Sequence, residues 1–235
     1  MDRVVQPELL DTLSPDDKDA LRSRRDLRRI NRIMGHYRRW PKLLESLLPL
    51  DRRTPWRVVE LGAGDAVLSA EVWRRLPGPP PGSQLFLVDQ HHVVADQSIA
   101  ALTGLGWSVE LHTSEALDWL KHLTGPEVTL IYANLFVHHF DPVRLAELLG
   151  QVAQRTKAFG CLEPRRCRRG LLGVGCLRLF VCNAVTQHDA RRSVWAGFRD
   201  CEIGATWPSS GEWALNESPV GLFSHQFSAA RRVPR

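Results

Sequence analysis

The run Val58-Val59-Glu60-Leu61-Gly62-Ala63-Gly64-Asp65-Ala66 joins an apolar strand to an acidic residue and two closely spaced glycines. Glycines in a tight strand-to-helix turn let a ligand lie directly against the main chain, because no side chain intervenes. The pattern predicts a strand over 56–61 and a helix over 66–76, so that Gly62, Ala63 and Gly64 occupy the turn. A second apolar run, 84–88, ends in Asp89 and Gln90, about one strand–helix unit further on. A carboxylate at that place can accept two hydrogen bonds from the hydroxyls of a ribose. Paired histidines, His138 and His139, follow a third informative run, 128–133, and its Asn134, while His188 lies beyond a later apolar stretch. Imidazole suits proton transfer from an acceptor such as a phenol, whose pKa is near ~10. Each of these histidines has an alternative structural role as a helix cap or a buried hydrogen-bonding group.

Two cofactor loops compete for the glycines. A dinucleotide loop requires G-x-G-x-x-G, but the third glycine would fall at Val67. A loop for S-adenosylmethionine (SAM) has the form E/D-x-G-x-G-x-G; Glu60, Gly62 and Gly64 fit it, and the last position is the small Ala66. On these residues, with Asp89, the chain resembles the class I SAM-dependent methyltransferases over roughly 57–235. The segment 133–140, with its paired histidines, is similar to the small-molecule enzymes of the quinone- and polyketide-biosynthesis type. It lacks the Asp/Asn-Pro-Pro-Tyr/Phe signature of enzymes that methylate a flipped base.

The resemblance implies SAM as cofactor, with Glu60, Gly62, Ala63, Gly64, Asp89, Gln90 and Asn134 in its site and Ser114, Glu115 and Ala116 beside the adenine. The aspartate usual on the adenine side is missing. Tyr37 is placed by analogy at the methionine end. The implied reaction is methyl transfer to a small apolar or aromatic acceptor, oxygen being favoured over carbon or nitrogen, with His138, His139 and His188 as candidate bases. Two alternatives stay open: a binding or regulatory protein that keeps the fold without turnover, and an RNA methyltransferase using the basic segments.

The elements that must position these residues form an α/β architecture. Expected strands at 107–112 and 158–164 join those above. The C-terminal part reads as a helix over 189–196, a strand over 201–207, a break at 208–211 and further strand at 213–216 and 222–229, the last antiparallel. The resemblance implies a seven-stranded, mostly parallel, Rossmann-like sheet with helices on both faces. Residues 1–50 form an expected helical cap and 51–235 the SAM-binding domain, with a substrate-covering insertion near 165–190. In the cap, Ser14 and Pro15 open a helix that Trp40-Pro41 ends, and a second helix follows at 42–48. Leu27, Ile30, Met34 and Tyr37 recur at helical spacing, either as a lid over the cleft or as packing against the sheet edge. The apolar run 171–182 reads as a substrate-covering helix or a core helix, and is too short to span a bilayer.

Composition agrees with one enzyme-sized domain: 43% hydrophobic residues over 235 positions can bury a full core. Five cysteines without a C-x-x-C pair fit reduced thiols, and their spacing matches no familiar zinc pattern, so no metal site is expected. No apolar span or signal pattern is present, which predicts a cytoplasmic protein without a membrane span. The net charge of +5 concentrates in arginine clusters such as 165–169. Without interleaved aromatics these read as solvated faces, and nucleic acid is disfavoured as a partner.

Overall fold

The apolar runs pair into one seven-stranded sheet of order β3-β2-β1-β4-β5-β7-β6 in a computed structural model that describes residues 1–176, 182–208 and 211–232. The strands are β1 (Arg57–Leu61), β2 (Gln84–Asp89), β3 (Ser108–Thr113), β4 (Leu130–Asn134), β5 (Ala158–Pro164), β6 (Trp213–Val220) and β7 (Ser224–Arg231). Strands β1 to β5 pair in parallel, and β7 runs antiparallel to both β5 and β6. The registers Val58↔Leu85 and Val58↔Leu130 place β1 between β2 and β4.

Strand periodicity sends alternate side chains to opposite faces. Val59, Leu61, Phe86, Ile131 and Phe159 form one core with α5 (Ala116–His122), α6 (Pro142–Arg155) and α9 (Glu202–Thr206). Val58, Leu85, Leu130 and Tyr132 form the other with α2 (His36–Leu47), α3 (Val67–Trp73) and α4 (Asp96–Gly104). Glu60 shares the parity of Val58 and is therefore carried into the second core. Gly160 in β5 allows α2 to approach closely, since a Cβ there would stand 2.9 Å from Leu47.

The first helix, α1 (Lys18–Ile33), is capped by Asp17, not Ser14: the Asp17 carboxylate accepts from the backbone N–H of Asp19 and Ala20. It ends at Gly35, whose φ of +76° breaks the helical path, and Pro41 lies inside α2 rather than terminating α1. The long apolar stripe that suggested one helix is thus shared by two.

The expected strand over 201–207 is instead the helix α9 (Glu202–Thr206) with its two flanking caps. Here the Glu217 carboxylate, remote in sequence, accepts from the N–H of Ile203 (3.1 Å) and Gly204 (2.6 Å) and so caps α9. Helix α7 spans Arg168–Cys176, and α8 (Ala184–Ala196) begins earlier than expected because Asn183 caps it through Thr186 N–H. The remainder of the apolar run, 177–181, lies outside the described residues, as does 209–210 of the break before β6. Among the described residues no helix is long and apolar enough to cross a membrane.

Candidate active site

The strand order reverses between β1 and β4, and open α/β sheets bind ligands in the crevice at such a point. A cavity of about 940 Å³ opens there, at the carboxyl ends of the strands. Gly62, Gly64 and Ala66 adopt φ of +70°, +54° and +55°, so the loop turns left-handed at alternate residues. Ala66 keeps this turn without a glycine, at a cost of about 1–2 kcal/mol for its Cβ. A Cβ on Gly62 would lie 2.3 Å from Phe136, whereas one on Gly64 would meet nothing within 4 Å. Gly64 N–H donates to Asp89 Oδ2 at 2.8 Å and His91 N–H to Oδ1 at 2.9 Å. Each carboxylate oxygen is thereby fixed and keeps a free lone pair, because an ionised carboxylate offers about four acceptor sites.

Every cofactor candidate lines this one cavity: Tyr37, Glu60, Gly62, Ala63, Gly64, Asp89, Gln90, Ser114, Glu115, Ala116 and Asn134. Their side chains differ in what they are free to do. Glu60 is buried, accepting from Ser69 Oγ and from Tyr132 Oη at 3.2 Å, and Tyr132 also accepts from Trp73 Nε1. Burial raises its pKa to about 8, against the pull of the Ser69 and Tyr132 hydrogen bonds, so Glu60 is a protonated brace at neutral pH. Glu115 caps α5 and pairs with Arg144 at 2.8 Å, and Ser114 Oγ donates to the Glu115 carbonyl.

Asn134, at the end of β4, is held on three sides. Its Oδ1 accepts from His36 Nδ1 (2.7 Å) and Trp40 Nε1 (2.9 Å), and its Nδ2 donates to Asn31 (3.0 Å). His36 is fully buried and its Nε2 accepts from Ser224 Oγ at 2.9 Å, which fixes a neutral tautomer. Burial lowers its pKa to about 4. Sequence reasoning missed His36; its signal was the i, i+4 spacing with Trp40, which puts both rings on one face of α2.

The far end of the cavity gathers groups from three distant segments. Leu135 takes φ of +52°, an uncommon strain for a leucine, and turns the chain after β4 into the 3₁₀ turn Val137–His139. The fully buried Glu163 of β5 accepts from the N–H of Phe136 and Val137, both at 3.0 Å, and from His138 Nδ1 at 2.7 Å. Glu8, on the N-terminal segment, stands 3.4 Å from His138 Nε2 and accepts from Ser193 Oγ. Burial alone would lower the His138 pKa, but Glu163 and Glu8 outweigh it and raise it to about 9. Glu8 is held down to about 2, the pull of His138 and His139 overcoming its burial. His139 is the more open ring, 27% exposed, with Asp11 at 3.3 Å.

His188 does not join this group. Its Nδ1 bonds Asp189 at 2.8 Å on α8, and its side chain is 38% exposed, away from the cavity wall. Asp189 itself accepts from the N–H of Leu9 and Leu10, tying down the N-terminal segment. Glu8 and Asp11 were not marked by any local motif, because only the fold brings them to the histidines, whereas Glu163 stands in the Glu-Pro that closes β5.

The remaining wall mixes apolar side chains with polar ones such as Arg28, Asn31 and Asp65. Leu27 and Ile30 of α1, Met34 between the helices and Tyr37 of α2 line the cavity, as do Val174 of α7 and Phe223 of the β6–β7 turn. Cys161, Cys167, Cys182 and Cys201 are free thiols, of which Cys161 and Cys182 are buried.

No protein-family model and no curated protein sequence matches the chain. Solved structures do match its fold. The plantazolicin methyltransferase BpumL in complex with SAH superposes with a TM-score of 0.63 at 11% identity, over 92% of each chain. Magnesium protoporphyrin IX methyltransferase (ChlM) from Synechocystis PCC 6803 with bound SAH gives 0.52 at 11% identity, over 84% of each chain. An O-methyltransferase family protein from Burkholderia thailandensis gives 0.50 at 18% identity, over 83% of this chain and 57% of that one. Sheet order, glycine loop and these superpositions agree that the chain has the Rossmann-like fold of the class I SAM-dependent methyltransferases.

Proposed function

We propose that the protein is a SAM-dependent methyltransferase acting on a small apolar or aromatic acceptor, with an oxygen atom as the preferred methyl acceptor. The observation that carries this reading is the continuity of one cavity from the Gly62–Gly64 loop and Asp89 to an apolar chamber ending in paired histidines.

The residues present fit the cofactor. Asp89 keeps lone pairs for a ribose, Gly64 leaves open space where a Cβ would project, and Ser114 and Ala116 flank the neighbouring wall. SAM supplies a methyl group on a positively charged sulfur, whose in-line displacement neutralises that charge. The chain supplies alignment and exclusion of water. Leu27, Ile30 and Met34 present an apolar surface to the acceptor, and Tyr37 lines the same cavity. His138, charged between Glu163 and Glu8, fixes the turn after β4 and is unsuited to accept a proton at neutral pH. His139 is the ring that takes the acceptor's proton, with the Asp11 carboxylate behind it at 3.3 Å. The exposed His188 takes no part.

The test is transfer of labelled methyl from SAM to a panel of hydrophobic phenols and quinone precursors. The proposal expects turnover with at least one phenol, and a fall of about 10²- to 10⁴-fold in His139→Ala with SAM affinity unchanged. Wild-type turnover in that variant would remove His139 from the chemistry.

A further inference from the structure

We infer that Glu8, His138 and His139 form a binding site for a divalent transition-metal ion at the acceptor end of the cavity. The ligand atoms, one carboxylate oxygen and two imidazole nitrogens, lie within 4.8 Å of one another. Glu8 Oε1 is 3.4 Å from His138 Nε2, and Glu8 Oε2 is 3.9 Å from His139 Nε2. Ligands at about 2.1 Å around a tetrahedral ion are separated by about 3.4 Å, so the gap already has the width of a coordination sphere. It is wide for a charge-assisted hydrogen bond, which closes to about 2.7–2.9 Å.

The second observation concerns the opposite side of each ring. His138 Nδ1 lies 2.7 Å from Glu163 Oε2, and His139 Nδ1 lies 3.3 Å from Asp11 Oδ2. A ligating histidine donates its other ring N–H to a carboxylate, which fixes the tautomer and aims the free nitrogen at the metal. Both rings have that partner, and both Nε2 atoms face the same Glu8 carboxylate. Ser193 Oγ in turn donates to Glu8 and orients it. Three carboxylates around two imidazoles leave an excess of negative charge when the rings are neutral. Arg3, the nearby cation, spends its hydrogen bonds on the backbone carbonyls of Ala196, His138 and Phe140. Without an ion, a proton on His138 Nε2 fills the gap.

Two imidazoles and one carboxylate, with the remaining positions opening into the cavity, suit Zn²⁺, Fe²⁺ or Co²⁺ rather than Mg²⁺ or Ca²⁺. Resting on the methyl-transfer reading, the consequence is that in the metal-loaded protein His139 is a ligand and no longer the base, and the ion instead binds an oxygen of the acceptor and lowers its pKa. The acceptor class is then narrowed to molecules offering a phenol or a neighbouring pair of oxygens as ligands.

The experiment is titration of the metal-stripped protein with Co²⁺ in the absence of SAM, read by visible d–d absorption and calorimetry. Its outcome is therefore independent of the cofactor reading. The inference expects one Co²⁺ per chain, displaced by Zn²⁺, with affinity reduced at least tenfold in both His139→Ala and Glu8→Gln. Absence of saturable binding, or wild-type affinity in either variant, would overturn it. Should burial of Glu8 make its variant unfold by circular dichroism, Asp11→Asn takes its place. Its side chain is 39% exposed, and the same tenfold loss is expected, with unchanged affinity counting against the site.

Discussion

Two histidines beside the end of β4, one bonded to Asn134 and one in the turn after it, differ in charge for separable reasons. His36 is buried among neutral partners and is pushed down to about 4, while His138 is buried between carboxylates and rises to about 9. The His36 shift has a consequence for stability. Its folded pKa lies below the ordinary 6.5, so its contribution is present above that value and is lost as pH falls towards about 4. Urea unfolding at about pH 7 and about pH 5 should show a loss of roughly 2 kcal/mol in the wild type, and a flatter dependence in His36→Asn. Glu60 has the opposite sign. Its folded pKa is raised from 4.5 to about 8, so the stabilisation is full below pH 4.5 and disappears as pH rises through about 8. Glu60→Gln keeps a neutral hydrogen-bonding group and should gain roughly 2 kcal/mol over the wild type in mildly alkaline buffer. Equal unfolding midpoints at that pH would mean that Glu60 is solvated. Neither shift was legible in the sequence: the glycine spacing identified Glu60 as part of a loop, but its burial against Ser69, Trp73 and Tyr132 depends on strand parity and a neighbouring strand.

At the scale of elements, the parallel strands were legible because each is a short apolar run bounded by turn residues. β5 has the expected bounds, and α6 starts where Asp141-Pro142 signals it, with Asp141 accepting from Val143 and Arg144 N–H. The C-terminal helix α9 was read as a strand, since its cap, Glu217, comes from the following strand and leaves no local mark. The break between α1 and α2 falls at Gly35, whose φ of +76° is left-handed, and not at Trp40-Pro41, which α2 accommodates. Asn183 joins the lid to the rest of the fold: it caps α8, its Oδ1 accepts from Ser23 Oγ at 3.0 Å, and its Nδ2 donates to the Asp19 carbonyl at 2.8 Å. Asn183→Ala removes a cap and two buried hydrogen bonds, and thermal unfolding should report a loss of about 2–3 kcal/mol. A loss below about 0.5 kcal/mol would mean that α1 is not fastened to α8 through this residue.

For the whole molecule, the central feature is the meeting of three sequence-distant parts at one crevice. The glycine loop and Asp89 come from β1 and β2, the histidine turn from β4, and Glu8 and Asp11 from the N-terminal segment that α8 holds down. The first two were visible as motifs, and the third was not, because a carboxylate in an irregular segment has no periodicity to betray its target. Among the described residues, Arg24, Arg28 and Arg144 are the arginines that line the cavity. RNA binding measured at two salt concentrations should accordingly be weak and non-saturating; tight, salt-sensitive binding would favour a nucleic-acid substrate.

The most direct test of the central claim is calorimetric titration with SAM, and in parallel with nicotinamide dinucleotides, of the wild type and Asp89→Ala. Saturable binding of SAM alone is expected, weakened about tenfold to a hundredfold in Asp89→Ala by loss of hydrogen bonds to a charged acceptor worth about 1.5–3 kcal/mol. Binding of a dinucleotide instead, binding of neither, or unchanged SAM affinity in Asp89→Ala would contradict it.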